Sequence, residues 1–143
     1  MSALLEESVP VEDWKRETVG AKNGRKAAIN VAAASDSVES RYWESIIDRI
    51  VEMQHLGEDW DGLGAKAPAS ELLESAIGLA YLLKGRGMTP PARVVASTAG
   101  TVIFEWQTGE GFYGEVEIDR PMHADVMMLQ PGQPAQHWEL PEE

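Results

Sequence analysis

The chain has 143 residues and 43% hydrophobic content, enough for one domain with a core of its own. It has no cysteine, which excludes a disulfide framework, a thiolate zinc site and a cysteine nucleophile. The net charge of −12 is unevenly placed: residues 1–35 balance five acids with five bases, residues 36–91 set ten acids against five bases, and residues 92–143 set nine acids against Arg93 and Arg120 alone. So acidic a folded part argues against direct nucleic-acid binding, since a phosphate backbone calls for a basic surface. It suits a basic protein partner, or simple solubility. No apolar run is long enough to span a bilayer, and the N-terminus lacks the basic and apolar stretches of a signal peptide. The cytoplasm is the expected location.

Residues 1–35 read as a flexible N-terminal tail. Val9-Pro10-Val11 and Val19-Gly20 interrupt helical patterns, and Lys22-Asn23-Gly24-Arg25-Lys26 is a polar, turn-like run. Residues 27–34 fit either a short strand or a helical run. From about Val38 to Leu56, apolar residues recur at Tyr42, Trp43, Ile46, Ile47, Ile50, Met53 and Leu56, the spacing of an amphipathic helix. Asp36 and Glu39 resemble a capping box at its start, and Gly57 suits its end.

A glycine-rich loop, Glu58 to Pro68, then separates two helical patterns. Gly62 and Gly64 permit positive φ, and Asp61-Gly62 is a turn pair. Trp60 is too large and apolar to stay in water, so it is expected to plug the junction of helices and sheet. Asp59, Asp61 and Gly62 echo part of an EF-hand. Aligned on that glycine, however, the first and twelfth positions fall on Gly57 and Pro68, which offer no carboxylate. Trp60, Asp61, Gly62, Gly64 and Pro68 are therefore read as a structural loop, with no metal. The second helix is expected from about Ser70, as N-cap, to Lys84. Gly78 within it costs about 1 kcal/mol relative to alanine and hints at close packing.

The remainder is strand-like. Arg93–Thr98 is one strand. Thr101–Trp106 alternates Val102, Phe104 and Trp106 against Thr101, Ile103 and Glu105. A glycine-rich hairpin leads to a strand with Phe112, Gly114, Val116 and Ile118 on one face and Tyr113, Glu115 and Glu117 on the other. Met122–Leu129 forms a fourth, and residues 131–143 read as a C-terminal tail with Trp138 as its one anchor. Short connections imply antiparallel neighbours. The expected fold is α+β: two amphipathic helices on a three- to four-stranded antiparallel meander, spanning residues 36–130.

Trp60-Asp61-Gly62-x-Gly64-Ala65-x-x-Pro68, followed by a helix and by Gly100-x-Val102-x-Phe104-Glu105-Trp106, resembles a group of small uncharacterised bacterial proteins with a WDGxGA…P loop and a GxVxxEW strand. The resemblance covers roughly residues 56–119. It carries no known activity, so it transfers no catalytic residue.

No nucleophile elbow, zinc-binding helix or phosphate loop is present, and His55, His123 and His137 lack metal-ligand spacing. The sharpest constellation is the sheet's outer face, where Glu105, Glu115, Glu117, Asp125 and Tyr113 are expected to converge. Opposed carboxylates repel, so such a face calls for a cation, a basic partner or water. The leading expectation is a non-catalytic interaction protein, of antitoxin, immunity or inhibitor type, binding a basic protein without cofactor or metal. The alternatives are a metal-dependent enzyme with Glu105, Glu115, Glu117 and Asp125 as ligands, or a small assembly subunit. Homo-oligomerisation is left open.

Overall fold

The computed structural model describes residues 9–23 and 37–141, with the side chains of 19–23 excepted. Among the described residues, three helices lie on one face of a five-stranded antiparallel sheet: α1 (Val11–Asn23), α2 (Val38–Glu52), α3 (Ser70–Gly85), then β1 (Arg93–Ala96), β2 (Val102–Gln107), β3 (Tyr113–Arg120), β4 (His123–Leu129) and β5 (Gln136–Leu140). The strand order β1-β2-β3-β4-β5 is a pure meander. The α+β class is as expected, with a strand and a helix more than the sequence predicts. Among the described residues, no helix is long and apolar enough to cross a membrane.

The α2 stripe buries Trp43, Ile46, Ile47 and Ile50, while Tyr42 is 47% exposed and instead reaches the carbonyl of Ala92. Its N-cap is Ser37, whose side chain accepts from the Ser40 amide at 2.9 Å. Asp36 of the expected capping box lies outside the described residues. The helix passes into a 3₁₀ turn, Met53–His55, so Gly57 is not its cap. The N-cap of α3 is Ala69, which offers no side-chain acceptor, and Ser70 is already helical.

Helix α3 is the centre of the fold, and its small residues show why. Ser75, Ala76, Gly78 and Ala80 are all buried alongside Leu72, Leu73, Leu79, Leu82 and Leu83, so the helix is covered on several sides. The sheet lies beneath it, with Val102, Phe104, Val116, Ile118, Ala124 and Val126 pointing inward in the register of the strand pairs. Helices α1 and α2 both pack against it.

The N-terminal segment departs from expectation. Residues 11–23 are helical rather than a loose tail, and Trp14 is fully buried with its indole N–H donating to the Ser75 carbonyl at 3.1 Å. The hydroxyl of Ser75 accepts from the Met122 amide, tying α3 to the β3–β4 turn. The readings for residues 24–35 lie outside the described residues. At the other end, the expected C-terminal tail contributes β5, with Leu140 buried and Trp138 half-buried against the core.

Candidate functional site

No described helix lies on the outer face of the sheet, where the side chains form cross-strand rows. One row reads Arg93, Glu105, Glu115, Met127, His137; its neighbour reads Val95, Ile103, Glu117, Asp125, Glu139. Glu105 is directly opposite Glu115, and Glu117 is opposite Asp125. Tyr113 flanks the first row, so the five residues singled out from sequence share this face. Repulsion between opposed carboxylates is offset by local donors. The Arg93 guanidinium pairs with Glu105, the Tyr113 hydroxyl donates to Glu115 at 2.9 Å, and the Thr101 hydroxyl donates to Glu117 at 2.7 Å. Burial, followed by the bond to Glu115, pushes the Tyr113 phenol up to about 12, so it stays a donor.

At one end of the face, β3 shifts register between Ile118 and Arg120. Asp119 lies in this irregularity, and its carboxylate meets His123 Nδ1 at 2.6 Å, while Glu139 of β5 meets Nε2 at 2.9 Å. The bond to Asp119 raises the His123 pKa; partial burial works against this, and Glu139 adds to it. A raised folded-state value means that the imidazolium stabilises the fold fully below the ordinary 6.5, and that this contribution is lost as pH rises through the higher folded value. His123→Gln is therefore expected to lower stability more at about pH 5.5 than at about pH 9. Urea unfolding at both pH values measures it; an equal loss at both would rule out a role for the charge.

The glycine-rich loop is organised by its own acids. Asp59, at φ 61°, accepts from the Gly64 amide at 2.6 Å, and a single oxygen of Asp61 accepts from the amides of Leu63 and Ala65. Glu58 accepts from the Ala67 amide. Each carboxylate thus meets a backbone donor that the turn would otherwise leave to water. Gly62 and Gly64 take positive φ, and Pro68 is buried. Trp60 does not plug the helix–sheet junction: it is half-buried and donates to the Lys66 carbonyl inside the loop. The Lys66 amide in turn bonds Thr98, which fastens the loop to the β1–β2 turn.

The chain matches no protein-family model, no curated protein and no solved structure. Function therefore rests on the site alone. The proposed ligand set Glu105, Glu115, Glu117 and Asp125 is spread over three strands, and three of the four already hold a donor. Among the described residues, the group with metal-binding geometry is a different one, Asp119, His123 and Asp125, whose ligand atoms lie within 4.8 Å of one another. Both imidazole nitrogens face carboxylates, so a metal would have to displace a proton held in place by them.

Reading the sequence left out Arg93, Asp119 and Glu139 as members of this face, and Thr101 as the donor to Glu117. Arg93 belongs through the β1–β2 register, and Glu139 through β5. The one signal available was the scarcity of bases after residue 92, which singles out Arg93 and Arg120.

Proposed function

We propose that the protein is a non-catalytic interaction module whose outer sheet face binds a basic protein, as an inhibitor or antitoxin-like protein binds its target. The observation that carries this reading is the outer face itself. Six carboxylates, Glu105, Glu115, Glu117, Asp119, Asp125 and Glu139, share it with Arg93, Arg120 and His123. Hydroxyl donors hold Glu115 and Glu117 in place without neutralising them. A lysine or arginine arriving there finds oriented acceptors, so less side-chain entropy is lost on binding. Val95, Ile103 and Met127 are half-buried between the acids, and Leu129 is 40% exposed, giving the face an apolar ground beneath its charge.

The test is the triple variant E105Q/E115Q/E117Q, compared with the wild type in pull-downs from the source cell. One stoichiometric basic partner is expected, its affinity falling with salt and at least about tenfold weaker with the variant, each exposed pair contributing roughly 0.5 kcal/mol. A partner held equally by the variant, or held regardless of salt, would overturn the reading.

A further inference from the structure

The two edges of the sheet are treated differently. β1 is only four residues long and follows Pro90 and Pro91; the Tyr42 hydroxyl reaches Ala92 at its start, and Lys66 bridges Ala99 just beyond its end. β5 pairs with β4 along one side, and among the described residues no strand pairs with its other side. A strand edge with unpaired amides and carbonyls is a template for another strand.

We propose that β5 is a self-association edge, on which two copies pair β5 to β5 antiparallel about a two-fold axis at Trp138. In an antiparallel pair, residues directly opposite each other share a face, so the axis must pass through a residue. Centred on Trp138, the pairing sets His137 against Glu139 of the second copy, and Glu139 against its His137. Both contacts lie on the outer face, where these two residues project. On the inner face Trp138 meets its own copy, covering an indole that one chain leaves half-buried. Centring on His137 would set the two copies of His137 against each other, and centring on Glu139 would oppose two carboxylates. Only the Trp138 register sets an imidazole against a carboxylate on both sides. A two-fold contact of this kind closes at two copies. It joins the two outer faces into one continuous acidic surface, although the pairing does not depend on what that surface binds.

Sedimentation equilibrium on the full chain tests this. The wild type is expected to rise with concentration towards twice the monomer mass and to stop there. H137E places glutamate against glutamate twice and is expected to weaken association about tenfold. H137E/E139K sets glutamate against lysine on both sides and is expected to restore it. Circular dichroism confirms folding, and slower amide exchange in wild-type β5 at high concentration gives a second readout that needs no variant. A wild type that stays monomeric, masses that pass the dimer, β5 exchange indifferent to concentration, or a double variant as monomeric as the single one would each overturn the proposal. The E105Q/E115Q/E117Q variant leaves β5 intact, so failure of the partner-binding reading is seen separately.

Discussion

Trp14→Ala is expected to destabilise the protein by about 3–5 kcal/mol, the range for deleting a fully buried aromatic side chain. The indole is completely shielded from solvent and is the largest side chain that α1 contributes to the core. Its removal leaves a cavity against α3 and also strips the Ser75 carbonyl of its indole donor. A domain of this size has total stability of about 5–15 kcal/mol, so the loss is a large share of it. Urea unfolding with circular dichroism measures the change. A cost below about 1 kcal/mol would mean that α1 does not dock through Trp14.

Gly78→Ala is expected to cost about 1–3 kcal/mol, the range for overpacking a tight contact, although alanine is the better helix former. A Cβ at this position would lie 2.6 Å from the Thr18 hydroxyl, 2.7 Å from its Cα and 2.9 Å from its amide nitrogen. Two of these atoms are backbone, so no rotamer change of Thr18 relieves the clash; α1 must move away. The double variant G78A/T18A removes the hydroxyl and leaves the backbone contacts, so it is expected to recover little of the loss. Chemical denaturation of both variants decides the point. A stabilised G78A protein would show that the helices do not approach this closely.

These two positions also show what the sequence conveys. Gly78 within a helical pattern signals close packing, yet nothing local says what approaches it. The approaching element is α1, whose sequence is polar apart from Val11, Trp14, Val19 and Ala21 and is interrupted by Gly20. A helix held by one tryptophan leaves no periodic stripe to read. The β2 and β3 strands, by contrast, were legible because alternation assigns every side chain to a face. Glu105, Glu115 and Glu117 could be placed on the outer face for that reason, with Tyr113 and Thr101 beside them, whereas Arg93 could not. Arg93 reaches Glu105 through the β1–β2 register, which sequence patterning leaves open at a strand of four residues. β5 was obscured by the proline- and glycine-containing stretch before it, and the cap at Ser37 by an adjacent aspartate with equally good spacing.

The neighbour-to-neighbour strand order has a kinetic consequence. Each β pairing closes a short stretch of chain, so the sheet can grow hairpin by hairpin with little loop-closure entropy at each step. Contact between Trp14 and Ser75 spans 61 residues and needs α3 to be in place already. α1 is therefore expected to join late during folding, after the pairings of shorter span.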